Sequence, residues 1–505
     1  MTYFQHFIAR RQHLASKMQS GIAVIPTAPE RLRNRDAHYP YRFDSYFYYL
    51  TGFREPEAVL VLVAAGDGVP PKQILFCREK NQEREIWDGY RYGPEAAKAI
   101  FGFDEAHAID KLDELLPKLL ADQPAVHTAM GLDPAWDQRV IGWLNRVREL
   151  ARTGIVAPAE IRDSRTLLDE MRLIKGTDEL QIMQRAADIS AQAHQRAMQT
   201  TQPGMREYEI EAELLYTFYR HGAQAPAYTS IVAGGANACV LHYVQNNAEL
   251  KPGDLLLIDA GCELDGYASD ITRTFPVNGK FTAAQRDVYQ LVLAAQAAAI
   301  AQVQPGNRWN DPHQAALQVL AQGFIDLGLC QGSVDAVLES EDYKRFYMHR
   351  TGHWLGLDVH DAGEYKLKGE WRQLEPGMVL TVEPGCYIRP ADDVPEHFWN
   401  IGIRIEDDVV VTPSGHEILT LAAPKEIADG GEILHGLGRA NGPSAFHGLL
   451  RRERLGLGYP EVPDCRIICG GDFRFPTGDG LLPGAQPELP FHVGLAAGDP
   501  DFPDK

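Results

Sequence analysis

Three short apolar runs stand out near the start of the chain: Gly21-Ile-Ala-Val-Ile25, Ala58-Val-Leu-Val-Leu-Val63 and Gln73-Ile-Leu-Phe-Cys77. Each has the length and the β-branched, aromatic content of a strand buried on both faces. Around them, residues 4–18, 95–100, 110–120 and 136–150 space their apolar side chains as helices do. That alternation predicts an α/β domain at the N-terminus. Asp163 to Lys175 carries the junction, because Thr177-Asp-Glu-Leu-Gln-Ile then opens a long amphipathic helix with a capping residue. Further helices are predicted over Arg206–Arg220 and Ala283–Val303, the second rich in alanine and closed by Gln-Pro-Gly. Strands lie between and after them, so the second half reads as α+β. Gly234-Gly235 predicts a tight turn, since the Lys-Ser/Thr of a phosphate loop does not follow.

Carboxylates interrupt the apolar pattern of that second half at telling places. Leu255-Leu-Leu-Ile-Asp259-Ala-Gly-Cys262 is followed by Glu-Leu-Asp-Gly and returns as Tyr267-Ala-Ser-Asp270-Ile-Thr-Arg-Thr-Phe275. Asp265-Gly266 marks a hairpin turn. Opposed residue numbers then sum to about 529 or 531, which sets Asp259 opposite Asp270 or Thr272 on one side of the ribbon. Met378-Val-Leu-Thr-Val-Glu383 ends at Pro384-Gly385, placing Glu383 at a strand end. In Ile401-Gly-Ile-Arg-Ile-Glu406 the isoleucines alternate with Gly402, Arg404 and Glu406, so the last two share a face. His353, in Met348-His-Arg-Thr-Gly-His-Trp354, suits a loop or strand edge.

Taken singly, each has an ordinary explanation: a turn-forming Asp, a solvated Glu, a hydrogen-bonded His. Together they are harder to dismiss. Four carboxylates in apolar surroundings repel one another unless protons or cations neutralise them. Two divalent cations would cancel four charges and leave one neutral imidazole as a fifth donor. The pattern therefore predicts a dinuclear metal site in a hydrolase.

These motifs resemble a known family. Asp259-Ala-Gly-Cys-Glu, Asp270-Ile-Thr-Arg-Thr-Phe-Pro-Val277, His353-Trp-Leu-Gly-Leu-Asp-Val-His360-Asp, Glu375-Pro-Gly-Met-Val-Leu-Thr-Val-Glu383-Pro-Gly and Gly402-Ile-Arg-Ile-Glu406-Asp-Asp are similar to the bacterial Xaa-Pro aminopeptidases (aminopeptidase P). Tyr39-Pro-Tyr-Arg and Tyr49-Leu-Thr-Gly-Phe-Arg-Glu-Pro-Glu57 resemble that family's N-terminal domain. The resemblance covers roughly residues 1–428. It implies a creatinase-like α/β domain over 1–170, a pita-bread α+β catalytic domain over 171–428, and a remainder, 429–505, outside it.

The resemblance also implies roles. Asp259 holds one metal and His353 the other; Asp270 and Glu406 bridge, and Glu383 completes the second site and carries a proton between the attacking hydroxide and the leaving nitrogen. His242 and His360 correspond to histidines that stabilise the transition state, and His349 to one lining the substrate site. Arg404 and Tyr387 correspond to residues beside the proline. Asp36 and Trp87 correspond to positions near the substrate entrance, the Trp reaching across a subunit contact. The implied reaction releases the first amino acid from peptides with proline second, using two Mn²⁺ ions, in a homo-oligomer (dimer or tetramer). Zn²⁺ or Co²⁺ also suits the donors, although four carboxylates and one imidazole favour the harder ion. Arg350, where the family more often has Gly, adds a charge beside the site and bears on specificity. The alternatives are a prolidase, which has a comparable N-terminal domain and cleaves Xaa-Pro dipeptides, and a non-catalytic pita-bread binding module, which typically loses the metal ligands retained here.

Composition adds limits. A chain of 505 residues exceeds one core and implies two or three domains. A formal net charge of −20 excludes nucleic acid or an anionic membrane as the expected partner. Seven cysteines without paired spacing do not form a disulfide framework, and Cys262 and Cys386 are expected to pack rather than ligate. No signal-peptide core or membrane-length apolar run is present, so the cytoplasm is the default location. From Gly430 to Lys505, 24 of 76 residues are Gly or Pro, which predicts a mostly irregular tail. An appended module and an altered reading frame are the alternatives, and Cys465 and Cys469 lack the second pair a zinc site needs.

Overall fold

The computed structural model describes residues 4–64 and 71–427. The expectations for the tail, with Cys465 and Cys469, lie outside them.

All three early apolar runs are strands. Ile22–Pro26, Val59–Val63 and Lys72–Cys77 form the antiparallel centre of a six-stranded sheet. Glu105–Ala108, Ala125–His127 and Glu160–Arg162 extend it in parallel. The runs are continuously apolar because both faces are covered. Ile22, Val24, Val59, Val61, Ile74 and Phe76 pack on the helices Leu112–Leu120 and Pro134–Glu149. Their alternating neighbours Ala23, Ile25, Leu60, Leu62, Leu75 and Cys77 face Gln5–Met18 and Ser45–Thr51. That second core continues into Met183, Tyr267, Leu355, Leu357 and Val379. The N-terminal domain is thus seated on the second half by shared apolar surface.

In the second half, Leu255–Asp259 lies between Ile231–Gly234 and Thr272–Pro276, all antiparallel. Asp259 opposes Thr272 and Glu263 opposes Ala268, so paired numbers sum to 531 throughout. Asp265 (φ 51°) and Gly266 (φ 86°) make the two-residue turn, with the left-handed backbone such hairpins need. A second ribbon pairs Val379–Val382 with Asp407–Thr412, and Gly385–Ile388 with Ile401–Arg404. Two helix pairs back these ribbons: Thr177–Thr200 with Glu207–Arg220, and Ala283–Ile300 with Asp311–Asp326.

The helix at Thr177 differs from expectation at its cap. Gly176 occupies the cap position, and Glu179 reaches back to accept its backbone N–H at 2.9 Å. The helices Ser45–Thr51, Gln82–Asp88, Asp311–Asp326 and Val334–Ser340 are additions to those the apolar spacing predicts. Cys262 and Cys386 are fully buried, and the described cysteines are all free thiols.

Candidate active site

The two ribbons bring their interrupting carboxylates to one place. Asp259 ends its strand, while Asp270 sits in the break just before Thr272–Pro276, on the same side. The Tyr228 hydroxyl spans them, 2.7 Å from Asp259 Oδ1 and 2.5 Å from Asp270 Oδ1. Glu406 lies in the break between Ile401–Arg404 and Asp407–Thr412, and its Oε2 accepts from Thr272 Oγ1 at 2.7 Å. Glu383 follows directly after Val382.

His353 is held at the strand edge. Its carbonyl accepts from the Thr381 N–H, and its own N–H donates to Thr381 Oγ1. Gly352 permits this approach, since a Cβ there would lie 2.0 Å from the Thr381 carbonyl oxygen. The ring Nδ1–H donates to the Trp354 carbonyl at 2.9 Å. Nε2 then faces Asp270 Oδ2 at 3.5 Å and Glu383 Oε1 at 3.6 Å.

Donor atoms of Asp270, His353 and Glu406 all lie within 4.8 Å of one another. Asp259 and Glu383 flank this group, the former through Tyr228 and the latter through His353. Burial pushes the carboxyls of Asp259, Glu383 (to about 7) and Glu406 upward, and their mutual repulsion adds to it. Burial also works against Asp270 ionising, but hydrogen bonding and charge from His353 outweigh it and hold Asp270 low. His353 itself is raised to about 9 against its own burial by Asp270 and Glu383. The donors are hard, negatively charged and converging, with an imidazole whose other nitrogen is fixed by a carbonyl. This set fits divalent metal ions.

Around the carboxylates, further histidines gather. The His360 and His353 ring centroids are 4.3 Å apart, and His242 lies close enough to act on the charge of both His360 and His349. Arg404 Nη2 donates to Asp259 Oδ2 at 2.7 Å and Nη1 to the Tyr387 hydroxyl at 2.8 Å. That hydroxyl meets His349 Nε2 at 2.8 Å, while His349 Nδ1–H donates to the Arg350 carbonyl. Arg404 and Tyr387 are therefore a hydrogen-bonded pair and also neighbours of the carboxylates. Asp36 and Trp87 are not brought to this cluster by any hydrogen bond among the described residues. Trp87 is 84% exposed, not a core residue.

Tyr228, Thr272 and Thr381 are site residues to which the sequence analysis gives no role, although Thr272 and Thr381 lie within its motifs. The pairing sum of 531 points to Thr272, directly opposite Asp259; nothing in the loop around Tyr228 marks it.

Comparison with known proteins agrees with this geometry. Residues 181–413 match metallopeptidase family M24, and residues 7–127 match the aminopeptidase P N-terminal domain. The chain is 46% identical to an Xaa-Pro aminopeptidase of Haemophilus influenzae, covering 84% of this chain and 96% of that one. It is equally similar to the Xaa-Pro aminopeptidase of Escherichia coli, with the same coverage. Among solved structures it resembles the Pseudomonas aeruginosa aminopeptidase PepP (TM-score 0.81, 50% identity, 83% of this chain and 95% of that one). It also resembles zinc-substituted Escherichia coli aminopeptidase P in complex with product (TM-score 0.81, 46% identity, 84% and 96%).

Proposed function

The chain belongs to metallopeptidase family M24, with an aminopeptidase P N-terminal domain ahead of the catalytic one, and on that premise we propose that it works as an Xaa-Pro aminopeptidase. It hydrolyses the bond between the first residue of a peptide and a second-position proline. The observation that carries this reading is the convergence of Asp270, His353 and Glu406 within 4.8 Å, flanked by Asp259 and Glu383.

These five residues, Asp259, Asp270, His353, Glu383 and Glu406, would hold two divalent ions. Bound there, the ions supply Lewis acidity and lower the pKa of water towards neutrality. Mn²⁺ is the ion that the hard donor set favours. Glu383 takes the proton of the attacking water and passes it to the prolyl nitrogen as the C–N bond breaks, so the proline leaves as a neutral secondary amine. His242 and His360 donate to the carbonyl oxygen as it gains charge. His349, Tyr387 and Arg404 form the wall on the proline side. An Xaa-Pro bond is a tertiary amide without N–H, so a site that asks for no amide donor and offers a ring-sized wall accepts it.

Trp87 and Asp36 are assigned to the substrate entrance. Ile86 and Tyr90, beside Trp87, are also exposed, and a group of apolar side chains of this kind suits cover by a second subunit, in keeping with a homo-oligomer. Among the described residues no helix is long and apolar enough to cross a membrane.

The test is a metal-supplemented assay on an Xaa-Pro tripeptide beside a Gly-Pro dipeptide. Release of the first residue from the tripeptide is expected. Activity on the dipeptide alone would replace this reading with a prolidase.

A further inference from the structure

The loop that carries His360 is fastened from behind by charges that the chemistry does not use. Asp361 is buried; its Oδ1 accepts from Arg172 Nη2 at 2.5 Å and from the Asp358 N–H at 3.2 Å. Its Oδ2 accepts from Lys175 Nζ at 2.9 Å. Arg172 and Lys175 flank the end of the helix Arg165–Leu173, which joins the two domains, and both are buried. Arg172 Nη2 also donates to Asp358 Oδ2 at 2.7 Å, and its guanidinium lies 4.6 Å from the Tyr46 ring centre. From the N-terminal domain, Ser45 Oγ donates to Asp358 Oδ1 at 2.6 Å and Arg42 Nη2 to the Leu357 carbonyl at 2.6 Å. The Asp361 N–H closes the loop onto the Trp354 carbonyl at 2.9 Å.

Such a cluster is a poor device for stability alone. Desolvating three charges offsets much of their attraction, and apolar side chains of similar size would fill the space at less cost. Apolar packing would not fix direction as these bonds do. Both oxygens of Asp361 are held, which fixes the stretch of backbone from which the preceding residue, His360, projects beside His353.

We infer that Asp361, gripped by Arg172 and Lys175, is a positioning residue that holds the His360 imidazole against the reacting carbonyl, so that the seating of the N-terminal domain enters turnover. The inference rests on the role given above to His360. It makes Arg42 and Ser45, which belong to the other domain, remote contributors to the same step.

A double-mutant cycle on the full-length, manganese-loaded enzyme tests it, with Asp361→Asn and His360→Ala made singly and together and assayed on an Xaa-Pro tripeptide. Asp361→Asn should lower kcat roughly tenfold to a hundredfold with KM little changed, the scale expected of a small misplacement. In the His360→Ala background it should lower kcat no further, and bound metal per chain should equal the parent's in every variant. Equal losses in both backgrounds, or an unchanged kcat in Asp361→Asn, would overturn the inference. Full activity in His360→Ala would instead remove the role of His360 on which it rests. Ser45→Ala, a milder cut at the same loop, runs the same cycle if Asp361→Asn does not fold: a kcat loss of a few fold that vanishes in the His360→Ala background supports the inference, and a loss that persists there, or none at all, contradicts it.

Discussion

Glu406 and Asp407 are adjacent, both carboxylates and both buried, yet they meet opposite surroundings. Asp407 points to the back of the ribbon, where Arg273 Nη2 donates to Oδ1 at 2.7 Å and Lys425 Nζ to Oδ2 at 2.6 Å. Thr420 and Gln296 complete its partners. Burial alone would raise its pKa, but Arg273 and Lys425 reverse this and hold it low. Glu406 points forward, towards Asp270, Glu383 and Asp259, and burial and repulsion push its carboxyl well above the usual range. Arg404, fixed on Asp259 and Tyr387, is the main cation near it. The chain thus supplies its own cations to one buried acid and leaves its neighbour's cluster short of them. Four front acids against Arg404 and His353 are what make external metal ions the natural complement.

Breaking the front cluster should have the largest effect. Asp270→Ala removes a donor shared with Tyr228 and His353, and should abolish metal binding and cut hydrolysis at least about a thousandfold, as losing a member of a catalytic unit does. Elemental analysis and steady-state kinetics on one sample check both. Breaking the back cluster should act on stability instead. Arg273→Met leaves Asp407 with Lys425 as its one paired cation and strips donors from the carbonyls of Glu406, Ala423 and Thr272. It should cost about 3–5 kcal/mol, read from urea unfolding, because one partner of a buried pair is lost. Tyr228→Phe separates the two effects further, since it removes only the hydroxyl shared by Asp259 and Asp270. A loss of roughly tenfold to a hundredfold in metal affinity is expected, with an unfolding midpoint near the parent's.

The smallest effect is on pH dependence. Burial lowers His194 to about 4 and His313 to about 3. Both are neutral in the fold at pH 7, whereas the unfolded chain takes up their protons below about 6.5. Their contribution is therefore complete above about pH 6.5 and is lost as pH falls towards the folded values, by about 1.4 kcal/mol per pH unit for each group. Unfolding free energies from urea titrations between pH 7 and pH 5 should fall more steeply for the parent than for His194→Gln, the difference approaching that slope below about pH 6; identical slopes would contradict it.

Much of this contrast is legible in the order of the residues. The parity of Leu255–Phe275 about Asp265-Gly266 correctly puts Asp259, Asp270 and Thr272 on one side, because side-chain alternation in a ribbon is a matter of counting. The strands at Ile22, Val59 and Lys72 are equally plain, since sheets covered on both faces select unbroken apolar runs. Ser45-Tyr-Phe-Tyr-Tyr-Leu-Thr51 is not legible as a helix: its aromatic residues favour strands locally, and what overrides them is packing in the shared core and the Asp44 side chain accepting the Phe47 N–H. Tyr228, Arg172, Lys175 and Asp361 escape notice for another reason. Their partners lie 31 to 189 residues away in the chain, and no local period records such pairings.

Whether metal ions complete the front acids is decided by stripping the enzyme with a chelator and titrating Mn²⁺ back, with bound metal and Xaa-Pro tripeptide hydrolysis followed on the same sample. Activity should vanish on stripping and return as the sites fill to two ions per chain, with none regained by Asp270→Ala. Full hydrolysis by the stripped protein would contradict a metal-completed site.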